Sequence, residues 1–341
     1  MLQIVRTISE LEKMKANLIV VYQNQLQMSF YSPEYVIKAF ENFITKDKTN
    51  ELYFVVNKSS DVITNYIPLY IDSSDTLRFI FDKHTDYCSC LGPPMDFAAL
   101  KALSELILQE PKIKRVELDN LLPNDMLLNG LKHFFGIGTI ITSYNNYSFV
   151  HSTATVKSLA HLKSNEKSEL KRIQRKNQNC TFEVFANSQV FPWDAFLELK
   201  QQMISRGNRN TTFFDNNFVA MIQKLYDVGE IEIFTKSQDG QFVSASIVLV
   251  NMPLKTKMVW FDLFTDIQYI NLSSYVDYID YLDEVQGMTL SFGRGSYDYK
   301  AKNFQPQIQN LFNLRYSKSK FDFWFVNYFC IKYFFKRMLS K

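Results

Sequence analysis

The sequence predicts an α/β protein of mixed sheets, arranged as two tandem copies of one unit. Three observations carry this. At 341 residues the chain exceeds one ordinary hydrophobic core. Its expected strands form antiparallel meanders, each followed by a helix and a further strand. Short stretches also recur in the same slot of each half: the turns NKSSD from Asn57 and TKSQD from Thr235, then FDKHTD from Phe81 and FDLFTD from Phe261.

Taken in order, the apolar spacing from Ile8 to Met28 predicts a helix and then a short strand. Ser32-Pro33 opens a second helix through Phe43, with proline in the first turn where its missing N–H is harmless. Strands follow at Leu52 to Val56, Val62 to Ile71 and Leu77 to Phe81, the first two joined by the polar turn NKSSD. A helix from Asp96 to Gln109 leads to a strand from Arg115 to Leu118. The second half opens with a basic helix, Ser164 to Lys176, then a strand, Thr181 to Phe185, and helices Trp193 to Ser205 and Asn216 to Val228. Strands are expected at Glu230 to Thr235, Gln241 to Val250 and Lys257 to Phe264. A helix, Ser274 to Val285, and a strand, Met288 to Phe292, complete the copy.

Composition narrows the function. Hydrophobic residues make up 46% and charged residues 21%, a folded composition, and the net charge of +3 confines any basic site to a local patch. The 30 Phe and 19 Tyr call for large cores or stacking surfaces. Cys88, Cys90, Cys180 and Cys330 lack zinc-ligand spacing and read as reduced thiols of a cytosolic protein with no metal. His84, His133, His151 and His161 have no Gly-x-Ser-x-Gly context, which argues against a hydrolase triad. The N-terminus does not read as a secretion signal, and no apolar run reaches membrane-spanning length.

FYSPEYVIKAF at Phe30, IPLY at Ile67, KSELKRIQRK at Lys167, LKQQMISRGNRNTTFF at Leu199 and FGRGSYDYKAKNF at Phe292 give the chain a family likeness. It resembles the GNAT superfamily of acyltransferases, in particular the tandem-domain cellulose-biosynthesis acetyltransferase (BcsL/CelD-like) branch, related in fold to Fem-type aminoacyltransferases. The resemblance implies a supporting N-terminal copy over 1–150, a C-terminal acyltransferase copy over 151–318 and a tail over 319–341. It also implies transfer of an acyl group, with acetyl expected, from acyl-CoA to an amine or hydroxyl of a cell-surface polysaccharide precursor. In that superfamily pyrophosphate rests on backbone N–H groups between a strand and the next helix. The matching place is Phe264 to Ser274, which implies Gln268, Asn271, Ser273 and Ser274 as donor-binding residues. The family usually has glycines in this loop; here there are none, and Tyr275 stands where a small residue is expected.

Candidate residues cluster in FGRGSYDYKAKNF. Gly293 and Gly295 permit a turn with positive φ, and Arg294 offers a fork of donors to a carboxylate or phosphate. Tyr299 is a candidate either to protonate a departing thiolate or to hold a sugar hydroxyl, and Lys300 a candidate counter-charge for an anionic acceptor. The bland reading is a charged β-turn. Lys163, Lys167, Lys171 and Arg175 recur every four residues and form a stripe beside Arg172 and Lys176, suited to phosphates of a nucleotide, glycolipid or RNA, or simply a solvated face salt-bridged by Glu166 and Glu169. The resemblance places Arg206 at the acceptor cleft. Asp262 has two readings, a general base and a turn cap, of which the cap is expected. The aromatic, basic stretch Phe321 to Lys341 is either a helix packed on the protein or a peripheral contact with the inner face of the membrane. Two rival functions remain: an aminoacyl-tRNA-dependent Fem-type transferase, and a non-catalytic scaffold in glycan assembly.

Overall fold

A computed structural model describes residues 1–135, 139–142, 152–186, 189–210, 212, 214–294 and 298–319. Gly295, His151 and the aromatic tail Phe321 to Lys341 lie outside the described residues, as does the side chain of Tyr299. The chain forms two units, and they are not consecutive stretches. One draws on Met1–Ser29, Ile44–Tyr144 and Leu311–Lys341, the other on Phe30–Phe43 and Asn145–Asn310.

The first unit opens with β1 (Leu2–Val5) and α1 (Ile8–Gln23), whose start is fixed by a capping box between Thr7 and Glu10. The short strand expected before Met28 is absent; β1 precedes the helix instead. The meander runs β2 (Glu51–Leu52), β3 (Phe54–Ser59), β4 (Val62–Ile67), β5 (Leu69–Ile71) and β6 (Thr76–Phe79). Each of the first two expected strands is interrupted, at Tyr53 and at Pro68. Proline has no N–H for the ladder, so one ladder continues as the sheet β1-β3-β4 and the other as β2-β5-β6, extended by β7 (Arg115–Leu121), β16 (Phe312–Ser317) and β8 (Thr139–Thr142) in that order. Helix α3 (Phe97–Gln109), capped by Asp96, crosses over to β7 (Arg115–Leu121), which pairs parallel with β6. Helix α4 (Met126–Phe135) and β8 (Thr139–Thr142) follow.

In the second unit α2 (Pro33–Phe43) packs on α7 (Asn216–Asp227), with Phe43 edge-on to Phe218 at 5.5 Å. The remaining elements are β9 (Ser152–Val156), α5 (Ser164–Lys176), β10 (Thr181–Phe185), α6 (Trp193–Ser205), β11 (Ile231–Gln238), β12 (Gln241–Asn251), β13 (Thr256–Phe264), α8 (Ile270–Tyr281), β14 (Thr289–Arg294), α9 (Asp298–Phe304) and β15 (Gln307–Asn310). They build one sheet in the order β10-β11-β12-β13-β14-β9-β15. The recurring turns behave alike: Ser60-Asp61 and Asp239-Gly240 all take positive φ, the two-residue geometry that matches strand twist.

The last strand, β16 (Phe312–Ser317), lies between β7 and β8 in the first unit, while β9 lies between β14 and β15 in the second. The two units thus have strand orders of the same form, and in each the penultimate strand comes from a distant part of the chain. Leu311 and Leu314 are fully buried in the first unit as a result.

Two features position the site. β13 and β14 pair only from Thr256 to Met258 against Thr289 to Ser291, so the sheet opens toward their carboxyl ends. Just beyond the last residues paired with β14, the β12–β13 register shifts by one residue between Val259 and Phe261, a bulge of the kind that bends a strand. The expected turn FGRGSYDYKAKNF is, where described, the end of β14 followed by α9. Gly293 has φ 64° at an irregularity of the β14–β9 ladder.

Candidate functional site

At the carboxyl end of β13 lies a cleft of ≈ 660 Å³. Its walls are the loop Phe264 to Leu272, Glu169 and Ile173 from α5, Lys302 and Asn303 from α9, and Tyr275 from α8. This is where open α/β sheets hold ligands, outside the strand ends at the start of a crossover helix. Helix α8 begins there with no side-chain cap, so its first amides and the positive end of its dipole face the loop. Asn271 Oδ1 is buried without a hydrogen-bond donor among the described residues, which leaves an acceptor for a ligand O–H or N–H.

Tyr269 is the residue that shapes the loop. It precedes α8 with φ 64°, a left-handed conformation that costs a non-glycine residue on the order of 1–2 kcal/mol. The loop, lacking glycine, makes its turn with this strained tyrosine. Two cations hold it: Arg172 lies 5.4 Å and Lys176 5.3 Å from the ring centroid. Lys176 also donates to Gln268 Oε1 at 2.8 Å, and Asn177 Nδ2 to the Gln268 carbonyl at 3.3 Å. The basic helix therefore docks onto the loop.

Tyr275, in the wall of the cleft, is hydrogen-bonded to a carboxyl behind it. Tyr275, almost fully buried, donates from its hydroxyl to Asp262 Oδ2 at 2.5 Å, and Ser246 Oγ donates to Oδ1 at 2.7 Å. Burial pushes the Asp262 carboxyl above its ordinary range; these two hydrogen bonds and the charges of Lys300 and Arg209 oppose that rise. Asp262 sits within β13 and caps no turn, so the turn-cap reading is corrected. Over the opening between β13 and β14, Tyr275, Phe292 and Phe304 form an aromatic cluster, with Tyr275 and Phe292 centroids 5.2 Å apart and Phe292 and Phe304 4.8 Å apart.

The residues singled out from the sequence fall into three groups. Gln268 and Asn271 line the cleft. Arg206, the C-cap of α6, pairs at 3.6 Å with Asp266, itself a wall of the cleft. Ser273 and Ser274 lie inside α8 and are fully buried against the sheet: Ser273 Oγ accepts from Lys236, and Ser274 Oγ bonds Ser244 and the Ile270 carbonyl. They neither cap the helix nor line the cleft. Lys300 is buried as well, donating to the carbonyls of Phe292 at 2.8 Å and Arg294 at 3.1 Å, so it holds the end of β14. On α5, Lys171 and Arg175 are exposed, and Arg172 and Lys176, off the main stripe, reach the loop. Sequence reasoning missed Tyr269 and Lys302; Glu169, expected as a salt-bridge partner, does pair with Arg172 at 2.6 Å and lines the cleft as well. Only a tyrosine in a loop that should contain glycine signalled the first.

No family model and no curated protein sequence matches the chain. Solved structures do. A C-terminal domain assigned to a lysylphosphatidylglycerol synthetase from Agrobacterium fabrum superposes with a TM-score of 0.62 at 13% identity, covering 92% of this chain and 93% of that one. FemX gives 0.61 at 11% identity over 89% and 96%. L-PGS from Bacillus licheniformis gives 0.58 at 12% over 89% and 92%. Likeness at these identities shows the fold alone, a mixed α/β, GNAT-like architecture.

Proposed function

We propose that the second unit is an acyltransferase that moves an acyl group, with acetyl expected, from acyl-CoA to an amine or hydroxyl of a polysaccharide precursor. The observation that carries this reading is the cleft itself: an uncapped helix start at the carboxyl end of β13, lined by Gln268 and Asn271, with Lys302 on the facing wall. A pyrophosphate fits the first turn of α8, which has no side-chain cap, and Asn271 Oδ1 suits a donor group of the same carrier. The bound thioester supplies the activated carbonyl. For the chain's own part, Tyr275 and Asp262 form the proton path: the phenol takes the acceptor's proton as it passes its own to a carboxylate whose affinity for protons burial has raised. Backbone N–H groups at the loop steady the developing oxyanion.

A second donor, an aminoacyl ester carried on tRNA, is favoured by one specific observation. Tyr269 between Arg172 and Lys176 is an aromatic and cationic surface of the kind that receives a nucleotide, beside a helix with further exposed cations. The names of the structural neighbours, FemX and lysylphosphatidylglycerol synthetase, agree with aminoacyl chemistry.

Calorimetry and thermal shift with acetyl-CoA, longer acyl-CoAs, nucleotide sugars and tRNA separate these readings, because a ligand stabilises only the state it binds. Saturable CoA binding lost in Asn271→Ala supports the first. Salt-steep tRNA affinity without CoA binding supports the second. No binding to either leaves a scaffold.

A further inference from the structure

We propose that the second unit carries a second ligand site, for a small aliphatic 2-hydroxy acid, at the opposite end of the sheet from the cleft. A cavity of ≈ 480 Å³ lies there, at the amino ends of β11, β13 and β14. Ile231, Val250 and Met288 give it apolar walls; Glu232, Lys257 and Gln286 give it polar ones.

The polar groups are buried and incompletely used. Lys257 and Glu232 side chains are only 2% and 6% exposed and form an ion pair. The carboxylate is occupied on both oxygens, one by Lys257 and the other by the Tyr278 hydroxyl. The ammonium is not: its bond to Glu232 uses one N–H of three, and no described residue accepts the other two. Burial depresses the lysine's proton affinity and Glu232 counters it. Gln286 donates from Nε2 to the Tyr281 hydroxyl at 2.9 Å, whereas its buried Oε1 has no donor among the described residues. It reaches the cavity because α8 ends in a π-helical turn, Leu282–Gln286, a distortion that recurs at ligand sites. Idle donors and an idle acceptor in the wall of one half-open pocket are groups that a bound ligand would complete.

Their arrangement defines the ligand. Lys257 and Lys255, at the wall, outweigh Glu232 by one positive charge, which selects a monoanion. Lys257 offers two N–H groups to a carboxylate. Gln286 Oε1 needs a neighbouring O–H. The apolar walls take a short branched chain.

The probe is 2-hydroxy-4-methylpentanoate, with 4-methylpentanoate lacking the hydroxyl and 2-hydroxy-4-methylpentanamide lacking the charge. Calorimetry and saturation-transfer NMR on the full chain are expected to show saturable binding of the probe, about 10-fold tighter than either control. Gln286→Leu should bring the probe down to the affinity of 4-methylpentanoate. The triple variant Lys257→Met, Glu232→Met, Tyr278→Phe removes the buried charges together, so that none is stranded, and should abolish binding of the acid. If the triple variant fails to fold, Gln286→Leu decides alone. Absence of saturable binding, equal affinity for all three compounds, or binding indifferent to Gln286→Leu overturns the proposal. None of these outcomes depends on which donor the other cleft receives.

Discussion

Removing β16 should unfold the first unit and spare the second. The perturbation is a chain ending at residue 310, compared with one ending at residue 319. The shorter chain loses Leu311 and Leu314, both fully buried, and full burial of a leucine is worth about 1.5–3 kcal/mol. It also loses the Asn313 Oδ1 that receives the buried Asn120 N–H at 3.2 Å and the Tyr316 ring stacked at 4.5 Å on Phe135, about 1–3 and ~1 kcal/mol. These amount to roughly 5–10 kcal/mol, against a whole-domain stability of about 5–15 kcal/mol. The backbone groups of β7 and β8 that faced β16 are left unpaired besides. The assay is hydrogen exchange resolved by segment, with tryptophan fluorescence as an internal control, because Trp193 and Trp260 both lie in the second unit. In the shorter chain, amides of β6 and β7 should lose protection while the fluorescence transition persists. Adding a peptide of residues 311–319 should restore protection. Equal protection of β7 in the two chains would refute the reasoning.

Asp125, fully buried at the start of α4, has its carboxyl pushed by burial from the ordinary 3.8 to about 6. A raised acid keeps its proton in the folded state, so stability falls as pH climbs from 3.8 to 6 and the deficit, ~3 kcal/mol, is complete above that window. Asp125→Asn should match the wild type near pH 3.5 and exceed it by up to ~3 kcal/mol at pH 8 in urea unfolding; an advantage independent of pH contradicts this. Lys300→Met strips the donor from the Phe292 and Arg294 carbonyls and should lower stability by ~3 kcal/mol, seen as an earlier fluorescence transition of the second unit. Tyr269→Gly relieves the left-handed strain but loses its two cation contacts, so stability should stay within ~1 kcal/mol while affinity for the nucleotide carrier drops about 10-fold by calorimetry. An unchanged affinity would mean that Tyr269 only shapes the loop.

Much of the secondary structure was legible because its signals are local. The proline at the start of α2, the Asp96 cap of α3 and the two-residue hairpin turns each act within a few residues, and the expected α5, β10 and α6 coincide with those found. Helix α4, with Gly130 at its middle, was not among the expected elements. In the structure that glycine lets α4 approach α3 closely: a Cβ there would meet Leu100 at 2.8 Å. The site was half legible. Its location followed from strand order and family likeness, whereas the roles of Ser273, Ser274 and Lys300 did not, since a short polar side chain carries no mark of whether it faces sheet or cleft.

The amino-acid order by itself determined which segments are helix or strand, where hairpins turn, and that one pattern occurs twice. Tertiary structure alone decided that β9 and β16 each pair with strands far from them in sequence, that β13 and β14 pair over three residues only, and that Lys257 meets Glu232 out of water. The physical reason is range. Capping and periodicity are settled within a turn or two of chain, but ladder partners, burial and the charge a carboxyl carries depend on surroundings supplied by residues far away in sequence.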